Sequence, residues 1–103
     1  MTKLRDIAHC RAGDKGDQSI LVLIPYDRRD LDRAAFAVTP ASIREELELP
    51  QGVTPRIEVL THLGAIVITL PGLLSGGVTR SGWADPHGKT IAGQLLNLTM
   101  GES

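Results

Sequence analysis

Ser19-Ile20-Leu21-Val22-Leu23-Ile24-Pro25 is a run of five aliphatic residues closed by a proline, with no polar residue alternating among them. A strand with one face in water alternates apolar and polar side chains, so this unbroken run reads as a central strand that needs cover on both faces. Pro25 ends it, because proline donates no ladder hydrogen bond. A second run of the same kind, Ala65-Ile66-Val67-Ile68, opens the stretch to Leu70. Two such strands in the middle of one sheet are what the fold reading rests on.

Upstream of the first run, Leu4 to Arg11 reads as another strand, with Ile7, His9 and Arg11 on one side and Ala8 and Cys10 on the other. The two strands are joined by Arg11-Ala12-Gly13-Asp14-Lys15-Gly16-Asp17, a charged, glycine-containing loop. Downstream, Asp27 to Val38 carries Leu31, Ala34, Ala35 and Val38 at helical spacing. Thr39-Pro40 then reads as a cap followed by proline at the first helical position, opening a short helix with Ile43 and Leu47 one turn apart, which Pro50 to Gly52 stops. Arg56 to Leu60 and Ala65 to Leu70 read as strands of a hairpin turning at His62 and Gly64. Pro71 to Gly88 is a Gly-, Ser-, Thr- and Pro-containing connection that includes the turn signal Asp85-Pro86-His87-Gly88. A last helix spans about Lys89 to Leu98, with Ile91, Leu95 and Leu98 as its inner face.

The order is β-β-α-β-β-α, a permutation of the ferredoxin-like arrangement, with the first helical region split in two. The expectation is an α+β fold: a four-stranded antiparallel sheet in the order 1-2-4-3 with helices on one face. Residues 1–103 are expected to form a single domain, since a chain of this length supports one core. With both central strands apolar on both faces, the open sheet face is expected to be covered by a second copy, making a homo-oligomer.

Composition narrows the function. The chain is 42% hydrophobic and 22% charged with a formal net charge of −1, and it has three aromatic residues of the Phe, Trp and Tyr type: Tyr26, Phe36 and Trp83. With no basic stripe and few rings for base stacking, no nucleic-acid partner is expected. The single cysteine, Cys10, excludes an internal disulfide and suits a reducing compartment, while the dispersed His9, His62 and His87 give no metal-ligand spacing. No signal-like leader or membrane span is read, so a cytoplasmic location with no membrane contact is expected, and neither metal nor cofactor.

Two segments carry the candidate chemistry. In the first, Arg11 and Lys15 supply donors, Gly13 and Gly16 allow close backbone approach, and Asp14 and Asp17 add carboxylates, with His9 nearby on the strand. In the second, Gly76 and Gly77 are followed by Arg80 and Ser81, a pattern suited to wrapping an anionic or acyl group. The same residues also fit an ordinary hairpin turn with its own ion pairs and a plain surface connection. Cys10 reads as a small core residue, because neighbouring positions on a strand face opposite ways and His9 is not placed to activate it.

Leu4 to Asp17, taken with Gly76-Gly77-Val78-Thr79-Arg80-Ser81 and Asp85-Pro86-His87-Gly88-Lys89, resembles the ferredoxin-fold domain of the acyclic terpene utilisation protein A (AtuA) family. The likeness extends over nearly the whole chain; Gln18 and Ser19, and the stretch from Tyr26 to Val53, carry no distinctive match. The resemblance implies a setting, the breakdown of branched or terpenoid acids as coenzyme A thioesters. It also implies a separately encoded large partner. It transfers no catalytic residue.

Three functions then compete. One is an accessory or ligand-binding subunit in acyl-coenzyme A catabolism, holding an anionic group through the two polar segments. Another is a small acyl-coenzyme A hydratase or lyase with His9 or Asp14 as the acid-base group. The third is a purely structural assembly domain.

Overall fold

The computed structural model describes residues 2–15, 18–49, 52–71 and 89–100; of Asp14, Lys15, Lys89 and Thr90 it describes the backbone. Four strands, β1 (Ala8–Lys15), β2 (Gln18–Pro25), β3 (Arg56–Leu60) and β4 (Ala65–Leu70), form one antiparallel sheet in the order β1-β2-β4-β3. Between β2 and β3 lie a 3-10 turn at Arg28–Asp30 and the helices α1 (Leu31–Ala37) and α2 (Pro40–Leu47); α3 (Lys89–Leu95) follows the sheet. This is the expected permuted ferredoxin-like α+β fold, with the two unbroken aliphatic runs in the two central strands.

Burial along β2 alternates despite the unbroken apolar sequence. Ser19, Leu21, Leu23 and Pro25 are buried, whereas Ile20, Val22 and Ile24 are only partly so. The buried set shares the inner face with Ala8, Ile66, Ile68 and Leu70, under helix residues Leu31, Ala34, Ile43, Leu47, Ile91 and Leu95. The partly buried set faces away from the helices, next to Val67 of β4, which stands opposite Val22. Nothing in the chain's described residues caps that second face with a helix.

The first strand differs from the sequence expectation at both ends. Leu4–Asp6 forms a 3-10 turn rather than a strand start. Leu4 is fully buried, its backbone N–H donating to Leu98 O and that of Arg5 to Leu96 O, and the Asp6 carboxylate accepts the N–H of Lys3. Local side-chain capping and these long-range bonds offer the backbone partners that a strand would otherwise supply. Ile7 is buried at the end of this turn, outside the alternation of His9 and Arg11. At its other end β1 continues through the charged segment to Lys15, which stands opposite Gln18. Charges are tolerated there because β1 is an edge strand, where they oppose strand-to-strand association.

The predicted helix at Asp27–Val38 is shorter and starts as 3-10, with the Asp27 side chain accepting the N–H of Arg29 at 2.9 Å. Thr39 caps α2 as read from the sequence: its Oγ1 accepts the N–H of Ser42 at 3.1 Å, and Ser42 Oγ accepts the N–H of Thr39 at 2.9 Å. Arg28 anchors the β3–β4 hairpin from outside, its Nη2 donating to Thr61 O at 2.6 Å and His62 O at 3.0 Å. Gly64 at the end of that turn has φ +65, a conformation glycine adopts without strain.

Candidate functional site

The register of the sheet decides which candidate residues share a place. β1 ends at Lys15 and β2 begins at Gln18, so Gly16 and Asp17 connect them. Ser19, the second residue of β2, stands opposite Leu70, the last residue of β4. The charged hairpin end and the departure point of the segment after Pro71 are therefore at the same end of the sheet, on neighbouring strands. Strands lie about 4.8 Å apart, so this is close proximity fixed by backbone hydrogen bonds.

Arg11 and Gly13 are exposed positions in β1, with Arg11 opposite Val22 and Gly13 opposite Ile20. A Cβ built at Gly13 would meet nothing within 4 Å, so the backbone there is open to approach. Asp14 and Lys15 close the strand. Thus five of the seven residues of the Arg11 to Asp17 segment belong to β1. Gly16 and Asp17, and the second candidate segment with Gly76, Gly77, Arg80 and Ser81, lie outside the described residues, as do Asp85 and His87. Lys89 is the first residue of α3.

His9 lies away from this end. It is opposite Ile24, and its ring stacks on Tyr26 with centroids 5.5 Å apart and planes inclined by 18°. At about 3.4 Å per residue, the five-residue interval to Asp14 separates the two candidate acid-base groups by roughly 17 Å along the strand. They are not brought together. The His9–Tyr26 stack and the Arg28 clamp have no local signal in the sequence: the first follows from the β1–β2 register, which continues to the Tyr26 N–H donating to Ile7 O, and the second from β2 and β4 being neighbours.

Cys10 packs against the core from the inner side of β1, and burial pushes its thiol up to about 12. A thiol with that value carries almost no thiolate at neutral pH, which is the nucleophilic form. Its chemistry is that of a small apolar side chain. Among the described residues, no group of three or more His, Cys, Asp or Glu side chains is placed to hold a metal ion, and no helix is long and apolar enough to cross a membrane. A surface groove of about 370 Å³ between α1, α2 and the C-terminal stretch is lined by Phe36, Thr39, Ser42, Glu45, Glu46 and Thr99, none of them a sequence candidate.

An antiparallel β1-β2-β4-β3 sheet with its helices on one side defines a ferredoxin-like α+β domain. The family model of the AtuA ferredoxin-like domain matches residues 2–101, and the chain belongs to that family. No curated protein and no solved structure gave a significant match.

Proposed function

We propose that the chain, as one domain over residues 1–103, is a cytoplasmic accessory or ligand-binding subunit in the catabolism of terpenoid or branched acids carried as coenzyme A thioesters. In this reading the two polar segments hold an anionic group of the ligand. Arg11, Lys15 and Arg80 supply charge, while the backbone at Gly13, Gly16, Gly76 and Gly77 with Ser81 supplies short donors; Asp14 and Asp17 add carboxylates. The observation that supports it is the Ser19–Leu70 register, which puts the end of β1 and the chain's exit from β4 at one end of the sheet. Phosphate groups suit such a set because guanidinium and backbone N–H donors form charge-assisted bonds to several oxygens at once.

Membership of the AtuA ferredoxin-like family supports the metabolic setting and a separately encoded large partner. The half-buried open sheet face supports self-association. Of the two acid-base candidates for a hydratase or lyase, His9 stands at the opposite end of β1 from the charged hairpin, which leaves Asp14 as the one beside it. Calorimetric titration of the wild type and of Arg11→Ala and Arg80→Ala with coenzyme A and a branched acyl-coenzyme A tests the ligand-binding reading. Saturable binding weakened at least about tenfold by either variant is expected, since each removes one charge-assisted contact. Absence of binding to any thioester overturns it.

A further inference from the structure

The groove between α1, α2 and the C-terminal stretch combines an exposed ring with uncompensated negative charge. Phe36, the one phenylalanine of the chain, lines it and is 66% exposed, while the core under the helices is aliphatic. Leu31, Ala34 and Ala37 of the same helix are buried, so Phe36 stands on the side of α1 turned away from that core. Glu45 and Glu46 of α2 line the same groove. Glu46 is half-buried, and its Oε2 accepts a hydrogen bond from Gln94 Nε2 of α3 at 2.6 Å. That neutral donor holds the carboxylate in place without cancelling its charge. The Ser42 hydroxyl donates to Ala37 O at 2.7 Å and so does not serve the glutamates. Among the described residues the ion pairs are Arg29–Asp27 and Arg33–Asp30, and no lysine or arginine lines the groove.

We infer that this groove receives an arginine side chain of a protein partner, its guanidinium lying on the Phe36 ring and against the Glu46 carboxylate. This goes beyond the proposed function, since it names a surface and a residue chemistry that the ligand-binding reading does not use. Two anions beside an aromatic ring call for a cation: the ring face is the negative end of its quadrupole, and a carboxylate in a partly dry groove is screened less than one in open water. Arginine fits better than lysine because its planar guanidinium stacks on a ring while its fork of donors reaches a carboxylate. At about 370 Å³ and open to the surface, the groove suits a single long side chain presented by another protein. Aromatic and arginine side chains are also the ones that dominate contact energy where proteins meet.

A second copy of the chain is poorly equipped to supply that arginine. Of the described arginines, Arg5, Arg28, Arg29, Arg33 and Arg44 are already bonded to groups of their own chain. Arg11 and Arg56 stand on the sheet, opposite Val22 and Thr69, away from the helices.

Backbone amide NMR titration of the wild-type chain with the blocked pentapeptide acetyl-Leu-Ala-Arg-Ala-Leu amide tests this, alongside the same peptide with citrulline, the neutral isostere, in place of arginine. Saturable shifts centred on Phe36, Ser42, Glu46 and Thr99 are expected with the arginine peptide, and binding at least about tenfold weaker with the citrulline peptide. Glu46→Gln keeps an oxygen for Gln94 but removes the charge, and should weaken the arginine peptide about tenfold. Phe36→Ala removes the ring and should weaken it about threefold. Absence of saturable shifts, shifts centred elsewhere, or equal binding of the two peptides overturns the inference. So do shifts at the same amides that grow with the chain's own concentration when no peptide is present, which make a second copy the occupant. The comparison of the two peptides uses the wild type alone, so the outcome does not depend on either variant folding.

Discussion

Ser19 stands directly opposite Leu70 across the β2–β4 ladder, and this pairing is what sets the charged β1–β2 end beside the start of the segment that follows β4. The two candidate segments are more than fifty residues apart in sequence. The end of β1 and the chain's exit from β4 come together through the 1-2-4-3 strand order, in which the first hairpin lies against the last strand. Function in this fold is therefore expected at one end of the sheet, while the helix-covered face supplies stability.

That stability should depend on the centre of the inner face. Leu21 is fully buried and opposite Ile68, also fully buried. Leu21→Ala removes apolar contact and leaves a cavity, so urea unfolding should show a loss of about 2–5 kcal/mol. Val22→Ala, one residue along on the open face, should cost each protomer about 1 kcal/mol or less.

Glu48 ends α2 in the left-handed region at φ 50, where a side chain is strained. Glycine is the usual residue at such a helix end. Glu48→Gly should raise stability by about 0.5–1 kcal/mol, read as a higher denaturation midpoint with an unchanged slope.

Cys10 should be nearly silent toward thiol reagents. With its thiol pushed up to about 12 by burial, labelling at neutral pH should be far slower than for a free cysteine and should accelerate when the chain is unfolded in urea. Rapid labelling of the folded protein would contradict the placement of Cys10 against the core.

Asp27 predicts an acid dependence. The Arg29 side-chain and backbone hydrogen bonds lower its carboxyl from 3.8 to about 2. A lowered folded-state value means that the ionised form stabilises the fold above the unfolded value, and that this contribution fades as pH falls toward about 2. Asp27→Asn keeps an oxygen to cap Arg29 N–H but removes the charge. Thermal unfolding should therefore show a small deficit for the variant at neutral pH that shrinks between pH 3.8 and about 2 and is gone below. The effect is small because both partners are solvent-exposed.

Much of this fold is written in local patterns. The aliphatic runs gave β2 and β4, the hairpin around Gly64 gave Arg56–Leu60 and Ala65–Leu70, and Thr39-Pro40 marked the start of α2. Each is a short-range signal with a short-range cause: missing alternation, a turn glycine, a hydroxyl cap. The first strand departs from its local pattern at both ends for the opposite reason. Leu4 looks like strand until the Leu98 carbonyl is known to lie beside its N–H, and Arg11 to Lys15 looks like loop until β1 is known to be an edge. The candidate site was legible as two clusters of residue types. The adjacency of the β1–β2 end to the chain's exit from β4, and the distance between His9 and Asp14, are properties of register, which no local pattern carries.

The most direct test of the ligand-binding account is a backbone amide NMR titration of the wild-type chain with coenzyme A and with a branched acyl-coenzyme A. The account predicts saturable shifts concentrated at residues 11–19, at 70 and 71 and through 72–81, with the His9–Tyr26 end and the Phe36 groove unmoved. Saturable shifts centred on Phe36, Ser42 and Glu46, or none at any accessible concentration, would contradict it.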